Sequence, residues 1–163
     1  MLRIGRLTLS DRASAGVYED LSGPEIERVI RELLPGGCDF SSRILPDDPE
    51  KISAALIELC DRKDCPLVIT TGGTGPSARD QTPEATRAVL EKELPGFGEA
   101  MRLRSFEKVP TAILSRATAG VRGKSLIINL PGNPRAIGEC LPMLLPAILE
   151  CLRHIRPADA PNI

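Results

Sequence analysis

Two short runs, Pro66-Leu67-Val68-Ile69 and Leu126-Ile127-Ile128-Asn129-Leu130, carry apolar residues at nearly every position instead of alternating them with polar ones. A strand buried on one face alternates, whereas a strand covered on both faces does not. The chain must therefore supply helices for both sides of a sheet. Ile26, Val29, Ile30, Leu33 and Leu34 recur at helical spacing after Ser22-Gly23-Pro24-Glu25, which has capping-box form, and stop at Pro35-Gly36-Gly37. Ile52, Ala55, Leu56 and Leu59 make a second stripe, with Asp48 as N-cap, Pro49 at the first helical position and an end near Lys63.

Residues 2–9 and, with weaker patterning, Cys38 to Leu45 complete the strands, so strands and helices alternate four times. A helix is expected from Pro83 to about Glu93, capped by Thr82, and another from Phe97 to Phe106. Thr111 to Gly120 fits strand, turn or helix equally. The last helix carries Ile137, Leu141, Leu144, Leu145, Ile148, Leu149 and Leu152, with Pro142 and Pro146 expected to bend or split it and a frayed tail from Arg156. The fold class implied is a three-layer α/β/α sandwich with a mostly parallel sheet, built as one domain over residues 1–163.

In such sheets the loops at the carboxyl ends of the strands gather on one edge, where ligands bind. Here those loops are 10–16, 46–48, 70–80 and 131–134, and they should face a common crevice. Thr70-Thr71-Gly72-Gly73-Thr74-Gly75-Pro76 leaves a buried strand as a glycine loop whose amides can approach an anion. Taken alone it is equally a turn joining strand to helix. Around it lie hydroxyls (Ser10, Ser14, Thr71, Thr74, Ser77) and the carboxylates Asp11, Asp47 and Asp80. Asp48 has a capping job and Asp47 has none. Asp80 alone could merely start a helix, Asp11 alone could stabilise a turn, and Ser115 and Arg116 are turn residues or phosphate contacts. Amide donors for phosphate oxygens together with acids for a hard cation are the parts of phosphoryl or nucleotidyl transfer. The loop lacks the Gly-Lys-[Ser/Thr] ending of a Walker A sequence and is not Gly-x-Gly-x-x-Gly.

Composition narrows the classes further. With 42% hydrophobic residues, 26% charged and net charge −1, the chain has neither a membrane span nor a broad basic face for nucleic acid. It begins in strand-like sequence without the apolar core of a secretion signal, so the cytoplasm is the expected compartment. Five cysteines without a Cys-x-x-Cys pair read as reduced core thiols, and the single histidine, His154, as a helix-end residue far from the loops.

Ser10-Asp11-Arg12-Ala13-Ser14-Ala15-Gly16, Leu45-Pro46-Asp47-Asp48, Thr70 to Gly75 with Arg79-Asp80 and Thr82 to Thr86, Leu114-Ser115-Arg116, and Asn129 to Pro134 occur in the order of a known family. Together they resemble the molybdopterin adenylyltransferases of molybdenum cofactor biosynthesis, the MogA/MoaB type also seen as the G domain of gephyrin. The resemblance implies a homotrimer that uses Mg²⁺ and ATP to adenylylate the terminal phosphate of molybdopterin and hands the product to the molybdate-insertion enzyme. It implies Asp47 and Asp80 as the catalytic, metal-holding acids, and Gly72, Gly73, Thr74 and Gly75 as the nucleotide cradle. Ser105 and Ser115 match serines associated with the pterin, and Ser10, Asp11, Arg116, Gly132 and Asn133 lie on the same substrate rim. The alternatives are a non-catalytic molybdopterin carrier or scaffold of the same fold and a metal-dependent hydrolase.

Overall fold

The computed structural model describes residues 1–162. A six-stranded sheet in the order β2-β1-β3-β6-β5-β4 forms its middle layer. Strands β1 (Leu2–Leu9), β2 (Cys38–Leu45), β3 (Leu67–Thr71) and β6 (Ser125–Leu130) are mutually parallel, while at one edge β5 (Ala119–Arg122) pairs antiparallel with β6 and β4 (Lys92–Glu93) antiparallel with β5. Between them come a short α1 (Asp11–Ser14), α2 (Ser22–Leu33), α3 (Pro49–Ile57), α4 (Thr82–Arg87), α5 (Gly96–Phe106) and α6 (Pro134–Ile155). The fold is α/β, as the alternating elements require.

The unbroken apolar runs have the expected cause. Leu67, Ile69, Leu126, Ile128 and Leu130 pack with α2, α5 and α6 on one face of the sheet, while Val68, Ile127, Leu7 and Leu9 pack with α3 and α4 on the other. Successive strand residues thus bury into opposite cores, each contributing about 1.5–3 kcal/mol of transfer free energy. Register aligns the strand ends: Leu9 faces Leu45, Thr8 faces Thr71, and Thr71 faces Leu130. The loops after β1, β2, β3 and β6 therefore leave the sheet on one edge.

Asn129 is the polar interruption of β6, fully buried, and its Nδ2 donates to Thr70 Oγ1 at 3.0 Å and Thr86 Oγ1 at 2.9 Å. This ties β6, β3 and α4 beneath the glycine loop. Asn129→Ala strips both hydroxyls of that donor, and its expected cost is about 2–4 kcal/mol by chemical denaturation.

Several local expectations give way to tertiary structure. Ser22 does not close a capping box, because its hydroxyl donates to Gly132 O at 2.7 Å and the Asp20 carboxylate takes the Gly23 amide instead. Asp20 also anchors the buried Arg6, which is shared with Glu27. Thr82 likewise does not cap; its hydroxyl donates to Gly72 O at 2.9 Å and α4 ends at Arg87 rather than near Glu93. The residues beyond turn away to pair with β5, through Glu91 N to Val121 O and Leu94 N to Ala119 O. Asp48 caps α3 as expected, which runs on through a π-helical turn at Glu58–Arg62. Thr111 to Gly120 holds the end of a 3-10 turn (Pro110–Leu114), an extended link and the start of β5. Pro142 and Pro146 lie within one continuous α6.

The tail forms a 3-10 turn, Pro157–Asn162, rather than fraying from Arg156. Arg156 is itself buried and bonds Lys124 O, Asp64 and Asp159. The expectation for Ile163 lies outside the described residues. No helix among the described residues is long and apolar enough to cross a membrane. The five cysteines are free thiols, with Cys60, Cys65 and Cys140 buried.

Candidate functional site

Gly72 and Gly73 carry φ of +91° and +64°, conformations that side chains rarely adopt, and they turn the chain sharply out of β3. A Cβ on Gly72 would lie 2.3 Å from Leu9 O, and one on Gly73 2.3 Å from Thr82 Oγ1. The loop thus has to be glycine to sit down between the ends of β1 and α4. Among the described residues, no backbone acceptor pairs with the amides of Gly73, Thr74 or Gly75.

Arg116 fixes the loop from behind. Its backbone amide donates to Thr74 O at 2.8 Å, and its guanidinium donates to Gly75 O at 2.9 Å, to Asp80 O at 2.8 Å and to the Glu84 carboxylate. With these carbonyls claimed by one cation, the loop holds a single backbone course. Arg116, expected as a substrate contact, is placed as a brace of the cradle.

Asp47 and Asp80 flank the same loop. A Cβ on Gly73 would stand 3.0 Å from Asp47 Oδ1, and one on Gly75 2.8 Å from Asp80 Oδ2. Asp80 Oδ2 accepts the Ser77 amide at 3.0 Å. Asp47 Oδ2 accepts the Asp11 amide, but Asp47 Oδ1 is buried with no hydrogen-bond partner. Burial pushes the Asp47 carboxyl above the usual carboxylate value; the Asp11 amide partly offsets this, while the negative charges of Asp11 and Asp80 add to it. An unpaired, desolvated carboxylate oxygen beside a second acid is relieved by a proton or by a bound cation. Among the described residues no cluster of three His, Cys, Asp or Glu side chains is arranged to hold an ion. Two carboxylates suit Mg²⁺, which takes one or two from the protein and the remainder from water and substrate phosphates.

Asp11 is differently committed. Both its oxygens accept from Arg79, at 2.8 Å each, and Oδ1 also accepts the Asp47 amide at 3.0 Å. Ser10 spends its hydroxyl on the Ala13 amide as the cap of α1. Both lie on the expected rim, occupied by neighbouring loops.

Beside the glycine loop opens a cavity of about 370 Å³ between α5, the 3-10 turn and the start of α6. Ser105, Ser115 and Asn133 line it, joined by Arg102, Lys108 and Arg135. Asn133 caps α6 by accepting the Arg135 amide at 2.9 Å, so the positive end of a 22-residue helix faces the cavity. Glu139 balances Lys108 and Arg135, and Arg102 donates to the carbonyls of Ser115 and Ala117. The surplus is positive and favours an anion. Gly132 closes the gap to the loop, for a Cβ there would lie 3.5 Å from Gly72 Cα, while Thr71 Oγ1 donates to Pro131 O at 2.8 Å. The structure therefore brings Asp47, Asp80, Gly72–Gly75, Ser115, Arg116, Gly132 and Asn133 together, with Ser105 lining the adjoining cavity.

Sequence reasoning missed Arg102, Lys108 and Arg135, although Met101, Arg102 and Ser105 recur at helical spacing on α5 and line the cavity together. It also passed over Arg79, whose partner is 68 residues away. His154 lies exposed in the last turn of α6, as expected, and its Nε2 is 3.1 Å from Glu150 Oε1.

Comparison with known proteins identifies the family. Residues 5–150 match the family described as "Probable molybdopterin binding domain". A molybdopterin adenylyltransferase of Helicobacter pylori is 56% identical over 151 residues, covering 93% of this chain and 86% of the relative. One of Escherichia coli K12 is 50% identical over 140 residues, covering 86% and 72%. The crystal structure of the molybdopterin biosynthesis enzyme MoaB from Thermus thermophilus superposes with a TM-score of 0.83 at 43% identity, covering 95% of this chain and 96% of that one.

Proposed function

The chain belongs to the molybdopterin-binding family of molybdenum cofactor biosynthesis, and on that premise we propose that it is a molybdopterin adenylyltransferase, moving AMP from ATP to the terminal phosphate of molybdopterin and releasing pyrophosphate. The observation that carries this reading is the adjacency of an acid-flanked glycine loop and a cationic cavity: Arg116 and Gly132 stand against the loop, and their chain neighbours Ser115, Pro131 and Asn133 line the cavity. Two phosphates that repel each other must be brought into line for adenylyl transfer, and paired sites of this kind supply that positioning.

In this reading the amides of Gly73, Thr74 and Gly75 receive the nucleotide phosphates, and Arg116 keeps them aimed. Ser105, Ser115 and Asn133, with Arg102, Lys108 and Arg135, seat the pterin and orient its phosphate toward the loop. Asp47 and Asp80 would hold Mg²⁺, which when bound neutralises charge on the phosphates. A phosphate nucleophile is already ionised at neutral pH, so neither acid has to remove a proton. Residues 1–163 act as one unit in this scheme, in the cytoplasm, and the product passes to the molybdate-insertion enzyme.

We assign the homotrimer to the same reading. On α6, Met143 is the one large hydrophobic side chain that is clearly exposed. Leu103, Phe106, Val109, Ile113 and Leu114, on α5 and the adjoining 3-10 turn and its flank, are an exposed apolar group, and they suit a subunit contact.

Pyrophosphate release tests the assignment. It is expected only when Mg²⁺, ATP and molybdopterin are all present, and EDTA should stop it. Release of inorganic phosphate without the pterin would instead support a hydrolase.

A further inference from the structure

Of the arginines around the crevice, Arg116 is locked onto two carbonyls and Glu84, and Arg6 lies buried between Asp20 and Glu27. Arg79 is different. It precedes Asp80 directly, its side chain is 64% exposed, and its Nε and Nη2 donate side by side to Asp11 Oδ2 and Oδ1. That parallel fork is the arrangement a guanidinium offers to phosphate. An exposed pair of this kind contributes little to stability and separates readily.

The sheet order gives the fork a direction. Asp11 follows β1, the glycine loop follows β3, and the cationic cavity opens beside the turn after β6, in a sheet ordered β2-β1-β3-β6. The Asp11–Arg79 corner and the cavity therefore lie on opposite sides of the loop. In-line displacement sets nucleophile and leaving group on opposite sides of the reacting phosphorus. If the pterin phosphate approaches from the cavity, the leaving pyrophosphate lies toward Asp11 and Arg79.

We propose that Arg79 exchanges Asp11 for the β- and γ-phosphates of ATP, with Asp11 standing in for phosphate while no nucleotide is bound. The inference rests on the adenylyl-transfer reading above. As a pterin phosphate oxygen bonds to the α-phosphorus, the bond from that phosphorus to the bridging oxygen breaks and its electron pair stays on pyrophosphate. The guanidinium neutralises that charge without giving up a proton. Asp11 meanwhile keeps its hold on the Asp47 amide, so the exchange leaves the neighbouring acid in place.

Titration calorimetry of wild type, Arg79→Gln, Arg79→Lys and Asp11→Asn with Mg²⁺-pyrophosphate, Mg²⁺-ATP and AMP tests this, with melting curves to confirm folding. Arg79→Gln should weaken pyrophosphate and ATP by about tenfold to a hundredfold, the worth of a charged hydrogen-bond pair, and leave AMP within about twofold. Arg79→Lys keeps the charge but not the fork and should recover only part of the loss, whereas Asp11→Asn should bind pyrophosphate at least as tightly as wild type. The proposal is overturned if Arg79→Gln binds pyrophosphate like wild type, if AMP suffers equally, if Arg79→Lys matches wild type, or if Asp11→Asn loses as much as Arg79→Gln. Wild type that makes adenylylated product with Arg79-independent pyrophosphate binding sinks this inference alone. Arg79-dependent binding without product sinks the parent reading, and wild type that binds neither ATP nor pyrophosphate sinks both.

Discussion

Asp80→Asn is expected to lower the turnover of adenylyl transfer by at least about a thousandfold, some 4 kcal/mol of transition-state stabilisation, while the protein keeps its fold. The separation of the two effects follows from how Asp80 is used. Its Oδ2 accepts the Ser77 amide, and its backbone carbonyl accepts from Arg116. Asparagine preserves an oxygen acceptor for the first bond and leaves the second untouched, so the loop keeps its course and only the charge is removed. A melting temperature within a few degrees of wild type, with product formation near background, is the expected pair of results. A variant that turns over at more than a tenth of the wild-type rate would remove Asp80 from the metal site.

Asp47→Asn should be as inactive, yet the variant without metal should be more stable than wild type at neutral pH. Burial, reinforced by the nearby negative charges of Asp11 and Asp80, raises the Asp47 carboxyl above its ordinary value of 3.8. The folded state therefore binds this proton more tightly than the unfolded chain does. Stability falls as pH rises from the ordinary value through the raised one, and the penalty persists above that window. An amide carries no such charge, so the variant loses this slope. Each kcal/mol of relief raises the melting temperature by about 2–4 °C for a chain of this size. Mg²⁺-ATP should narrow the gap, because only wild type gains from metal at Asp47. Equal stability of the two proteins across pH 4 to 8 would contradict the desolvated carboxylate.

The same residues explain how much could be read from the chain. β3 and β6 were legible because their two-sided burial removes polar alternation, and α2 and α3 because their stripes are long and end at clear stops. β4 and β5 were not legible. Lys92–Glu93 is exposed and only two residues long, and Ala119–Arg122 is a strand because β6 lies beside it. The end of α4 was lost for a related reason: Ala88-Val89-Leu90 continues an apolar pattern, but Arg122 takes Val89 O and Glu91 pairs with Val121 across the sheet. Capping signals failed wherever a hydroxyl had a better distant partner, as Thr82 has in Gly72 O and Ser22 in Gly132 O. The acids of the site were legible as strand-end residues without local jobs. Their environment was not, because the setting of Asp47, the Arg79 fork on Asp11 and the Arg116 brace all depend on contacts 32 to 68 residues apart along the chain.

The central claim is that the glycine loop and the cationic cavity are two halves of one reaction site. Its most direct test is mass spectrometry of the pterin after the purified protein is incubated with Mg²⁺, ATP and molybdopterin. The expected result is adenylylated molybdopterin, formed with one pyrophosphate per product. Molybdopterin that binds tightly but is recovered unmodified under those conditions would contradict the claim and leave the protein as a carrier.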